Sequence, residues 1–253
     1  NQGPRDPGTT DEEVRDVENM LQGMASPGTQ IVHMFTDDFP GAKVHEIIGK
    51  AHRLNGVTHH IEALAIIQKI TWAAENGYDA VIQSNTFDPG VEGGRLAVRI
   101  PVIGLLRSSL AVASTIADKF AILGPLDSDL PTIWRTCCAY QMQHRVVGMR
   151  GIGIYSDGLK KRKDEIFERV VAIVKELVRD KGAECIIPLG GKLIPYAVDP
   201  KELEKATGAP ILNTKAIGIQ FAEMSVRFGI AHSPLAYPPS PARHEHFMQK
   251  LNG

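Results

Sequence analysis

The sequence is short of the signatures that usually announce a chemistry. Its 253 residues hold only three cysteines, Cys137, Cys138 and Cys185. An odd number with two adjacent makes a poor disulfide framework, so the expected setting is reducing and cytoplasmic. Neither C-x-x-C nor H-E-x-x-H occurs, and no metal motif is declared. No G-x-G-x-x-G follows any strand candidate, which argues against a dinucleotide site. Charge of one sign is lacking too: the formal net charge of -1 gives no pull toward nucleic acid or a membrane surface. No apolar run is long enough to span a bilayer, and no signal peptide is visible.

What is present is a core-forming chain that alternates strands and helices. Two stretches share one design. Tyr78 to Gly94 carries an apolar strand (Ala80, Val81, Ile82), then a polar turn (Gln83, Ser84, Asn85, Thr86), then Asp88-Pro89-Gly90 at a helix start. Ala183 to Leu193 carries a second apolar strand that ends in Gly190, Gly191 and Lys192. In open α/β sheets, ligands bind at the carboxyl ends of such strands.

Around these stretches the pattern predicts helices from Thr10 as N-cap to about Gln22, over 43–53, and from His60 to Asn76, with Gly77 closing the last. Further helices are expected over 108–118, 126–143, 160–181, 199–207 and 216–228. Strands are expected at Thr29–Phe35, Pro101–Leu105, Phe120–Gly124, Gly151–Tyr155 and Ile211–Asn213, and a first strand just upstream of Asn1. Alternation of this kind means parallel strands joined by right-handed crossovers. With no linker-like stretch, the expectation is two closely fused halves with a cleft between them. The Pro-rich end after His232 reads as an extended tail over the surface.

Several residues carry alternative readings. Gly190-Gly191-Lys192 lacks the upstream Gly and the following Ser or Thr of a phosphate loop. Its glycines let a ligand approach the backbone, whose amides can hold a carboxylate or an enolate oxygen. Lys192 either reaches solvent or meets an anion. His59 and His60 either begin a helix, one of them exposed, or bring one imidazole to the cleft as acid, base or donor. Asp88 is either an N-cap or a general base. Asn85 and Thr86 stand where a core role would call for Val or Ile, which favours a ligand role. His232 reads as structural.

With those residues in place, the chain resembles the Asp/Glu/hydantoin racemase superfamily, above all its hydantoin racemase branch. The resemblance rests on A-V-I-Q-S-N-T-F-D-P-G, R-I-P-V-I-G, I-I-P-L-G-G, G-A-P-I-L-N-T and G-I-A-H-S-P-L-A-Y. It implies two pseudo-symmetric flavodoxin-like parallel-sheet halves, here 1–104 plus 215–253 and 105–214, with the active site between them. It also implies no cofactor, a small-molecule substrate, a homo-oligomer, and two thiols that exchange a proton across the substrate carbon. Aligned on D-P-G and on L-G, those thiol positions hold Asn85 and Gly191. Neither residue can titrate, and two-base racemisation needs a titratable group on each face.

The resulting expectation is a cofactor-independent enzyme acting on a small carboxylate or a hydantoin-like cyclic amide by one-base lyase or isomerase chemistry. Asn85, Thr86, Gly190, Gly191 and Thr214 would bind the substrate, and His59, His60 or Lys192 would move the proton. Two rivals stand beside it. One is a hydrolase whose water is activated by His60 or Asp88, with or without a metal. The other is a binding protein that has kept the cleft and lost catalysis.

Overall fold

The computed structural model describes residues 5, 9–37, 57–154, 162–190 and 192–239. They form an α/β chain divided into two compact units, Asn1–Gly104 with Gly218–Gly253, and Leu105–Ile217. The expected helix over 43–53 lies outside the described residues.

In the first unit, helix α1 (Asp11–Gln22) begins at Thr10. Thr10 Oγ1 accepts from Glu13 N at 3.1 Å, and Glu13 Oε2 accepts from Thr10 N at 3.0 Å. This reciprocal box satisfies two amides that the helix cannot bond itself. Helix α2 (Val57–Glu75) buries Ala65, Ile66, Ile70 and Ala73. It closes at Gly77, whose φ is +80°, with Tyr78 N donating to Ala73 O at 3.2 Å. Strand β1 (Val81–Gln83), helix α3 (Val91–Ala97) and strand β2 (Val102–Gly104) then make a parallel unit, Val81 paired with Val102 and Gln83 with Gly104. Gly93 and Gly94 of α3 lie on α2: a Cβ at Gly94 would fall 2.6 Å from Ile70 Cδ1. Those glycines serve helix packing. Ile66, Ile70, Val81, Val91, Val98 and Val102 form one core cluster, each such side chain contributing about 1.5–3 kcal/mol by burial.

The strand expected over Thr29–Phe35 is absent; the segment has no ladder partner among the described residues. Its backbone bonds to side chains of α1 instead. Ile31 N donates to Gln22 Oε1 at 2.9 Å, His33 N to Glu18 Oε1 at 3.2 Å, and Thr29 O accepts from Gln22 Nε2 at 2.8 Å.

The second unit contains α4 (Leu105–Ile116), β3 (Phe120–Gly124), α5 (Leu130–Ala139), β4 (Val146–Gly151), α6 (Lys163–Lys181), β5 (Cys185–Pro188) and α7 (Pro200–Thr207). Its sheet is parallel with order β4-β3-β5, and a parallel bridge from Ile186 to Ile211 extends it past β5. Every residue of β3 is buried, as expected for a central parallel strand covered on both faces. Amphipathic α6 turns Ile166, Val170, Val174 and Leu177 onto the sheet and stops at Gly182, φ +66°. Helix α8 (Thr214–Phe228) carries the chain out of this unit, the division falling between Ile217 and Gly218.

Of the strand expected at Gly151–Tyr155, only Gly151 belongs to a strand: β4 runs Val146–Gly151, 152–154 lie past its end, and Tyr155 is outside the described residues. Gly148 had obscured the earlier start. A Cβ there would fall 2.7 Å from Leu177 Cδ2, so the strand needs glycine to pass under α6. Among the described residues, no helix is long and apolar enough to cross a membrane.

Candidate active site

The carboxyl end of β1 is built around a buried amide. Gln83 is fully buried; its Nε2 donates to Pro89 O at 2.9 Å and its Oε1 accepts from Asn85 N at 3.2 Å. Asn85 Oδ1 then accepts from Phe87 N at 3.0 Å, closing an Asx turn. Asn85 is half-buried and Thr86 buried at 2% exposure. Gln83 was not singled out from sequence, although a glutamine at an inward strand position was a usable signal.

Asp88 does not cap α3. The N-cap is Gly90, in the left-handed region at φ +72°, which has no side chain to cap with. Asp88 is itself left-handed at φ +57° and 7% exposed. Its carboxylate covers Gly104 at the end of β2, where a Cβ would lie 2.5 Å from Oδ2. An aspartate tolerates that conformation better than most residues, which is why a residue chosen for a cap sits in a turn instead.

The carboxyl end of β5 is equally constrained. Leu189 N donates to Leu123 O at 2.7 Å, continuing the ladder, and Leu193 N donates to Gly190 O at 2.9 Å. Gly190 has φ +84°, and a Cβ there would fall 2.7 Å from Pro125 Cγ. Only glycine fits both the angle and the approach. Lys192 is half-buried just beyond, and Gly191 lies outside the described residues.

Beside this end runs the segment bridged to β5. Ile186 N donates to Pro210 O at 2.9 Å and Leu212 N to Ile186 O at 3.0 Å. Asn213 caps α8, its Oδ1 accepting from Ala216 N at 3.1 Å. Thr214 is fully buried, and its Oγ1 has no hydrogen-bond partner among the described residues. Lys215, which sequence reasoning missed, is 4% exposed, with Nζ 5.5 Å from the Tyr196 ring centroid. Burial pushes its ammonium down to about 7.

His59 and His60 both fall in the first turn of α2. His60 is exposed, and the side chain of His59 lies outside what is described. His232, read as structural, has Nε2 2.8 Å from Val98 O, its ring edge-on to Tyr237, and its basicity lowered by burial. None of the cysteines falls in the turn after β1 or at the Gly190-Gly191 turn after β5. Cys137 and Cys138 belong to α5, the first buried and the second half-buried. Cys185 opens β5, fully buried, and burial pushes its thiol up to about 11. No group of three or more His, Cys, Asp or Glu among the described residues is placed to hold a metal.

Residues 6–222 match the family model for Asp/Glu/Hydantoin racemase. The chain belongs to the Asp/Glu/hydantoin racemase family. It is 25% identical over 240 residues to a hydantoin racemase of Pseudomonas sp. (strain NS671), covering 95% of this chain and 91% of that one. A hydantoin racemase of Rhizobium meliloti is 26% identical over 189 residues, 72% of this chain and 76% of that protein. In fold, the chain is similar to allantoin racemase from Pseudomonas fluorescens, with a TM-score of 0.80 at 20% identity and 96% of each chain covered. This family member carries Asn85 after β1 and has its β-strand thiol, Cys185, within β5 and before Gly190.

Proposed function

We propose that the protein is a cofactor-independent enzyme that acts on the acidic C–H, or the labile carboxylate, next to a carbonyl in a hydantoin-like cyclic amide or small carboxylate. The chemistry is a one-base isomerase or lyase step through an enolate. The observation that supports this reading is the combination of racemase family membership with Asn85 after β1 and Gly190-Gly191 after β5, where the resemblance implies thiols. Asn85 and Thr86, with the backbone near Gly190 and Gly191 and with Thr214, would hold the substrate and the developing oxyanion. In this role Asn85 keeps its Oδ1 on the Phe87 amide and uses Nδ2 as the donor. His59, His60 and Lys192 are the proton carriers expected from sequence.

The test is incubation in deuterated water with allantoin, 5-substituted hydantoins and 2-substituted malonates, read by proton NMR. Deuterium appearing on the substrate carbon, with or without loss of carbon dioxide, is the expected result. Ring opening without carbon deuteration would make the protein a hydrolase. Saturable binding without any exchange would make it a binding relative. Either outcome overturns the proposal.

A further inference from the structure

The one-base reading needs a base, and the carriers named from sequence whose side chains are described are open to solvent. His60 is exposed to solvent and Lys192 is half-buried. The second unit encloses a different amine. Ile211 is bridged in parallel to Ile186, so both segments leave toward the carboxyl end of the sheet, where Gly190 and Lys215 each follow four residues on. Lys215 sits in the first turn of α8, capped by Asn213. The loop after Gly190 brings Tyr196 over its Nζ, and Tyr196 is a titratable side chain that faces it. Next to it, Thr214 has a fully buried hydroxyl with no hydrogen-bond partner among the described residues. Such a hydroxyl costs free energy unless something supplies a partner, and a polar substrate does so.

We infer that Lys215 is the proton carrier of this enzyme, with Thr214 Oγ1 bonding a polar group of the same substrate. The inference rests on the one-base reading above. The neutral amine of Lys215 takes the proton from the carbon next to a carbonyl. The C–H electron pair moves into that carbonyl, whose oxygen becomes the enolate oxygen. The ammonium then returns a proton to the same carbon. Where carbon dioxide leaves instead, the C–C pair forms the enolate, and Lys215, protonated beforehand from solvent water, supplies the proton that replaces the carboxylate. Burial favours the neutral amine, and the positive end of the α8 dipole acts in the same direction. A lysine held this way is suited to both halves of the cycle near neutral pH.

The experiment has two arms. In the first, the protein is labelled with lysine carrying carbon-13 at Cε and titrated by NMR. The Lys215 resonance is identified as the one lost in both K215R and K215M. A midpoint below roughly pH 9 supports the inference, and a midpoint at or above that value, near the ordinary lysine value, overturns it. The second arm measures carbon deuteration of allantoin, 5-methylhydantoin and 2-phenylmalonate by wild type and by both variants. Exchange by wild type that falls at least about 1,000-fold in K215M and K215R supports the role, because a guanidinium does not deprotonate. Exchange retained within tenfold in either variant overturns Lys215 and leaves the one-base reading standing. No exchange of any probe by wild type overturns that reading, and the role of Lys215 with it.

Discussion

The carboxylate of Asp88 covers the backbone of Gly104, at the ends of the two paired strands of the first unit, and leaves no room for a methyl group there. A Cβ at residue 104 would sit 2.5 Å from Oδ2 and 2.6 Å from the carboxyl carbon. Gly104→Ala must therefore displace a 7%-exposed carboxylate held by a left-handed residue. The expected cost is about 1–3 kcal/mol, measured as a shift in the urea midpoint. Asp88→Ala in the same protein should relieve most of it, since the two sites couple directly.

Asn85 separates the fold from the chemistry. Its Oδ1 caps the turn through Phe87 N, while its side-chain NH2 is the proposed donor to the oxyanion. Asn85→Asp keeps the acceptor and removes the donor. The expected result is an unchanged urea midpoint with carbon-deuteration rates lower by about 100- to 1,000-fold, the usual loss for one oxyanion donor. Wild-type rates in this variant would take Asn85 out of the site.

These two residues show what the sequence made legible. Asn85 was visible as a polar residue where an apolar strand ends. Asp88 was visible as a cap or general-base candidate, but its turn conformation was not, because a positive φ leaves no mark in the residue order. Phe120–Gly124 reads correctly because every residue in it is buried, so packing and propensity agree. Thr29–Phe35 has the same strand-like composition, yet side chains from α1 took its hydrogen bonds. The true start of β4 was hidden by Gly148, which the neighbouring helix requires. Lys215 was missed for a related reason: a lysine in a first helical turn reads as solvated, and only tertiary packing reverses that.

The thiols should prove irrelevant to catalysis. Cys185 is fully buried, with its thiol pushed up to about 11, and thiolate is the reactive form. Native protein treated with iodoacetamide at pH 7.5 is expected to label at Cys138, the half-buried cysteine, and to spare Cys137 and Cys185. Cys185→Ala should keep the deuteration rate within a few-fold. Loss of exchange in that variant, with the fold intact by circular dichroism, would return a thiol to the mechanism.

Glu184 gives the pH test of stability. Its Oε2 accepts from Lys119 N at 3.0 Å and Asp118 N at 2.8 Å, tying the turn before β3 to the turn before β5. These backbone bonds, Lys119 first, hold the carboxyl below its ordinary value. A depressed folded-state pKa contributes stability that is present above the unfolded value and lost as pH falls through the folded one. Wild type should therefore be more stable than Glu184→Gln at pH 7. The difference should shrink as the solution is acidified below the ordinary glutamate range. Urea titrations at pH 7, 5 and 3.5 measure it, and a gap that stays constant with pH would show that the charge on Glu184 contributes nothing to this contact.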